Sequence, residues 1–216
     1  MSLGLGDLVG GWLHGRSLAR GLPAPVRDGG GWRVETGAPT ERARLVYSGA
    51  LPEIVERAET IRTKDIPIKV CCPAAELQVL LGPRWAVEET GTFMTGPADA
   101  ALPAGVAMPA GYALEVEQTG ATGAVRIRDG ARAIVASGYC AETQGVFVFD
   151  HIATHAGHRR RGLGRAMMAA LAHLQSDPRA MPALVATADA RALYRTLGWR
   201  DLAPYATARR VMEWSG

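Results

Sequence analysis

Apolar positions recur with two different periods along the chain, and the second half shows them more clearly than the first. From Gly162 onward, Leu163, Ala166, Met167, Ala170, Leu171 and Leu174 fall three or four residues apart, which places them on one face of a helix. Ser176-Asp177-Pro178 ends that helix. Before it, Val146-Phe147-Val148-Phe149 opens a mostly apolar strand reaching about Thr154, as suits a strand covered on both faces. Residues 112–118 alternate as a strand, and 124–128, the turn Asp129-Gly130 and 131–139 predict a hairpin. Residues 184–187 read as a strand and 190–197 as a helix, with Gly198 as its left-handed C-cap. Trp199 begins a last extended stretch.

The first half is less periodic. Leu3, Leu5, Leu8, Val9, Trp12 and Leu13 suggest a short amphipathic helix, weakened by glycines. Strands are expected at 32–36, 45–47, 66–71 and 85–89, and helices at about 52–62 and 74–81, the latter ended by Gly82-Pro83. Residues 97–109 turn to Ala, Pro and Gly, which reads as a linker with a boundary near residue 105. The expectation is therefore an N-terminal lobe, 1–105, and a C-terminal domain, 106–216. Strands, hairpin, strand, Gly-rich turn, helix, strand, helix and strand in that order give an α/β or α+β fold.

Composition narrows the class. The 216 residues are 48% hydrophobic and 21% charged, the balance of a globular protein. No stretch approaches the ~20 apolar residues of a membrane-spanning helix, and Met1–Asp7 has no basic leader, so a cytoplasmic location is expected. Three cysteines, two of them adjacent at Cys71 and Cys72 and one at Cys140, make no disulfide framework and read as core residues. A net charge of +3 is too mild to indicate nucleic acid, and the cluster Arg159-Arg160-Arg161 is better explained as a local anion site. His151 and His155 lie on an extended segment without a neighbouring Glu, so no metal is expected.

A strand that runs into arginines, then Gly162-Leu163-Gly164, then an amphipathic helix can bind phosphate. The amides of the first helical turn lack intrahelical partners, the helix dipole favours an anion, and arginines add charged hydrogen bonds. A P-loop is excluded because no Gly-Lys-Ser/Thr occurs, and a dinucleotide fingerprint fails at its third position, Met167. What remains is Arg159-x-x-Gly162-x-Gly164. This segment, Ile152-Ala153-Thr154 through Gly164, resembles the acetyl-CoA motif of the GNAT superfamily, I-A-V-x-P-x-x-R-x-x-G-x-G. Thr187 through Trp199 resembles its second motif, N-x-x-A-x-x-L-Y-x-x-x-G-F, with Thr187 in place of Asn and Ala156 in place of Pro in the first motif. The resemblance covers about residues 112–205.

The resemblance implies a mixed, mainly antiparallel central sheet flanked by helices, with a first half that is a degenerate copy of the fold or an unrelated lobe. It implies that Ile152, Ala153 and Thr154 pair with the pantetheine arm of acetyl-CoA. Arg159, Arg160, Arg161, Gly162, Leu163, Gly164 and Arg165 would surround the pyrophosphate, and Tyr194 would be the general acid. The activity implied is direct N-acetylation of a primary amine, with a small molecule (an amino acid, a polyamine or an amine-bearing antibiotic) as the expected acceptor and a homodimer as one assembly. A CoA-binding regulatory or scaffold protein without turnover is the second reading. The proton acceptor is open: Asp150 is the first candidate, and strand alternation puts it and His151 on opposite faces.

Overall fold

All described strands join one eleven-stranded sheet, in the order β1-β2-β3-β4-β11-β5-β10-β9-β8-β7-β6. The computed structural model describes residues 3–97 and 108–211, so most of the expected linker and the boundary near 105 lie outside the described residues. The first half contains α1 (Leu5–Ala19), β1 (Val26–Asp28), β2 (Gly31–Ala38), β3 (Glu41–Tyr47), α2 (Glu53–Thr60), β4 (Ile68–Val70), α3 (Ala74–Leu81) and β5 (Trp85–Thr95). The second contains β6 (Ala113–Thr119), β7 (Thr122–Arg128), β8 (Ile134–Thr143), β9 (Val146–Thr154), a 3-10 turn at Ala156–His158, α4 (Leu163–Ala172), β10 (Met181–Ala186), α5 (Ala188–Thr196) and β11 (Arg200–Arg210). This is the mixed, mainly antiparallel sheet flanked by helices that the motifs implied.

The two halves repeat one topology. β1, β2 and β3 form an antiparallel meander, α2 crosses over, and β4 lies parallel to β3. β7, β8 and β9 do the same, with α4 crossing to β10 parallel to β9. Each half then has one more helix and a long final strand, and these final strands are exchanged. β11 lies between β4 and β5, and β5 lies between β11 and β10, so neither pairs with a strand of its own half.

Helix α1 ties the halves together on one face. It is longer than the short helix its sequence suggested, and it buries Leu8, Val9, Trp12 and Leu13 in a cluster with Trp32 and Val46 from one half and Val146, Val148 and Tyr205 from the other. Its glycines are contact points. A Cβ on Gly11 would lie 2.5 Å from Val146 Cγ2, and one on Gly15 2.5 Å from Val148 Cγ2. Spaced four apart, the two glycines let the helix backbone sit directly on β9.

Two further departures have local causes. β5 extends past the expected 85–89 to Thr95 because its end pairs with both β10 and β11, while Phe93 and Met94 are wholly buried in two separate core clusters. β10 begins at Met181, ahead of the expected start, with Pro182 inside the strand. All three cysteines are buried as core residues, and burial pushes their thiols up, to about 12 for Cys71 and Cys140 and about 11 for Cys72.

Candidate functional site

The parallel pairing of β9 with β10 is short. It joins Val146, Phe147 and Val148 to Met181, Pro182 and Ala183, and goes no further. From Ala183 to Ala186, β10 follows β5 on its other side, so the two strands diverge. A cavity of about 600 Å³ opens between them, with Phe149 to Ala153 on one wall and Leu184, Val185 and Thr187 on the other. Along this wall the β9 backbone has no strand partner on its β10 side among the described residues. Such an edge accepts an extended, amide-bearing chain as an added strand.

β9 also carries a bulge beside the cavity. Ser137 pairs with Ala153 and Tyr139 with Asp150, so one extra residue lies on β9, and His151 takes φ +51° there. The bulge breaks the alternation on which the sequence reading relied. Asp150 and His151 both line the cavity, where only one had been expected.

Beyond Thr154 the chain passes through the 3-10 turn and enters α4. Arg160 has φ +61°, and Gly162, the N-cap of α4, has φ +82°, a left-handed conformation that suits glycine. Among the described residues no side chain caps this helix start, which leaves first-turn amides as donors for a ligand. Arg159, Arg160 and Arg161 are all exposed. Arg159 donates to the Thr154 carbonyl (3.3 Å), Arg161 to the Tyr112 hydroxyl (3.1 Å), and Arg165 on the helix to Thr196 Oγ1 (3.5 Å). Gly164 has a close neighbour as well, since a Cβ there would meet Leu193 Cδ2 at 2.8 Å and the leucine side chain would have to shift. The loop, amides and arginines fit a pyrophosphate. The equivalent loop of the first half does not: α2 follows Pro52 as its N-cap and carries Glu53 and Glu56 in its first turn, which repel an anion there.

Tyr194 reaches the same cavity from α5. It is buried, packs against Trp199 at a ring distance of 5.9 Å, and desolvation pushes its hydroxyl up to about 12. Asp150 is bound by Arg16 of α1 and by Arg20, the C-cap of that helix: Arg20 donates to both its oxygens (2.5 and 2.9 Å), and Arg16 to one (3.3 Å). Burial alone would raise the Asp150 carboxyl, but the Arg20 hydrogen bond and the charges of Arg16 and Arg20 bring it below the usual carboxylate range. Asp150 is thus a weaker proton acceptor than a free carboxylate. His151 is exposed, and partial desolvation, then the charge of Arg20, lowers its imidazole from the usual value, which favours the neutral form.

The sequence reading missed the first half's contribution to this wall. Trp12 and Arg16 of α1, its C-cap Arg20, Lys69 of β4 and Thr90 of β5 all line the cavity. Two signals were present. Arg16 and Arg20 share one face of a helix four residues apart, and Lys69, one of two lysines in the chain, interrupts the apolar strand 66–71. Among the described residues, no three His, Cys, Asp or Glu side chains group as metal ligands, and no helix is long and apolar enough to cross a membrane.

Residues 119–201, in the second half of the chain, match the family described as an acetyltransferase (GNAT) domain. No curated protein matches the sequence. Among solved structures, a GCN5-related N-acetyltransferase from Kribbella flavida is similar across 98% of this chain and 97% of its own, at 20% identity and TM-score 0.69. A tandem GNAT protein from the clavulanic acid biosynthesis pathway covers 89% and 85%, at 17% identity and TM-score 0.56. A putative GNAT-family acetyltransferase from Novosphingobium aromaticivorans covers 87% and 92%, at 18% identity and TM-score 0.55. At these identities the likeness is one of fold.

Proposed function

We propose that the protein is an N-acetyltransferase that uses acetyl-CoA and a primary amine of a small molecule. The observation that supports this best is the continuity of the open β9 edge, the uncapped arginine-rich entry of α4 and the buried Tyr194 around one cavity. Ile152, Ala153 and Thr154 would hold the pantetheine arm, and Arg159, Arg160, Arg161, Gly162, Leu163, Gly164 and Arg165 would surround the pyrophosphate. Acetyl-CoA, when bound, supplies a thioester acetyl group to the attacking amine.

The chain's own residues manage the protons. Tyr194 Oη keeps its proton to about pH 12 and is the donor for the departing sulfur. His151, neutral and lining the cavity, is better suited than Asp150 to take the proton of the amine, and Asp150 holds α1 in place through Arg16 and Arg20. Under this reading the first half builds the acceptor side of the cavity and does not hold a second cofactor.

Thermal unfolding with and without acetyl-CoA tests the cofactor. At ~100 times its dissociation constant a ligand stabilises the native state by about 2.7 kcal/mol, a shift of several degrees. The double charge reversal Arg160→Glu/Arg161→Glu should remove most of that shift. Thiol release with a panel of amines then tests transfer: cofactor binding without release for any amine would favour a silent CoA-binding protein.

A further inference from the structure

The acceptor side of the cavity carries more positive than negative charge. Asp150 is shared between Arg16 and Arg20. Glu41 is shared among Arg44 (2.6 Å), Lys69 (3.3 Å) and Arg209 (3.2 Å). Five cations therefore meet two carboxylates. Three of the five, Arg16, Arg20 and Lys69, line the cavity itself.

Most of these groups are shielded from water. Arg44 is 7% exposed, and the side chains of Arg16, Arg20 and Lys69 are 18%, 21% and 15% exposed. Charges withdrawn from water and not fully matched are costly, and an anion placed among them removes that cost. Their ionisation agrees: desolvation, then the charge of Arg20, lowers Arg16; desolvation, then the charge of Arg16, brings Arg44 to about 10; and desolvation, against the opposing charge of Glu41, brings Lys69 to about 8. Two buried polar groups of the same wall, Trp12 Nε1 and the Tyr205 hydroxyl, have no hydrogen-bond partner among the described residues. The Arg44 Nε behind them is also without one.

Resting on the acetyl-transfer reading above, we infer that the acceptor amine carries a carboxylate, which is held by Arg16 and Lys69 at the end of the cavity built by α1 and β4. Arg16 supplies a planar, charged donor and Lys69 a point charge; neither shares its carboxylate partner with the other. Amino acids fit this wall. Polyamines and polycationic antibiotics do not, because they would bring further positive charge to a site already in excess.

Binding of acetylated products tests the inference without depending on turnover. Affinities are measured by calorimetry for N-acetyl amino acids and for their carboxamides, with CoA present, over a panel of side chains. At least one carboxylate should bind about ten- to a hundredfold more tightly than its amide. Arg16→Gln and Lys69→Gln should each shrink that ratio, and circular dichroism checks that each variant is folded. Equal affinities across the panel, no binding by any member, or ratios unchanged in both folded variants would overturn it. Failure of the acetyl-transfer reading looks different: acetyl-CoA would neither stabilise the protein nor release thiol, whatever the carboxylates do.

Discussion

Tyr194 combines two properties that separate at the level of one atom. Its ring packs on Trp199, and its hydroxyl is held protonated in the cavity. Tyr194→Phe keeps the packing and removes the proton, so turnover should fall by about a hundredfold with acetyl-CoA affinity nearly unchanged. Unchanged turnover in steady-state assays would make it a packing residue alone. Asp150 separates differently. Asp150→Asn leaves Arg16 and Arg20 without their carboxylate, and chemical denaturation at pH 7 should show a loss of about 2 kcal/mol, below the range of a fully enclosed pair. The sign with pH follows from the depressed carboxyl. Its contribution is complete above the ordinary value of ~3.9 and disappears as pH falls through the lower folded value. The gap between wild type and variant should therefore close at strongly acidic pH, and a gap independent of pH would mean that the pair is not what is lost.

Among the elements, α1 leaves no room for a side chain at its buried glycines. Gly15→Ala sets a methyl 2.5 Å from Val148 Cγ2 and should lift the helix from β9 at a cost of about 1–3 kcal/mol. Adding Val148→Ala should recover part of that loss in a double-mutant cycle, and simple additivity would place the effect elsewhere. At the entry of α4, Gly162→Ala forces a side chain to φ +82° and should weaken acetyl-CoA binding along with ~1–2 kcal/mol of stability, read by calorimetry and unfolding. These elements also show what the sequence could convey. β9 and the α4 face were plain from local periodicity, and the end of α3 was marked by Gly82. The bulge at His151 was not, because it arises from how β8 pairs with β9 and no residue there marks it. The glycines of α1 looked like defects in a helix, since their contacts with Val146 and Val148 lie more than a hundred residues away. Arg16, Arg20 and Lys69 entered the cavity wall by the same long-range route.

The molecule as a whole is two copies of one topology fastened by exchanged strands. β5 pairs only with β10 and β11 among the described strands, and β11 only with β4 and β5. Fragments 1–97 and 108–216 expressed separately should each aggregate, and mixed during refolding they should recover one complex by size-exclusion chromatography. A soluble, folded fragment 1–97 would show that the exchange is dispensable. The exchange also sets the order of assembly during synthesis. The chain leaves the ribosome from its N-terminus, so β4 and β5 emerge while the strand that belongs between them is still more than a hundred residues from being made. The centre of the sheet is the last part to close, and a nascent chain must keep two open edges from pairing with neighbouring molecules until it does.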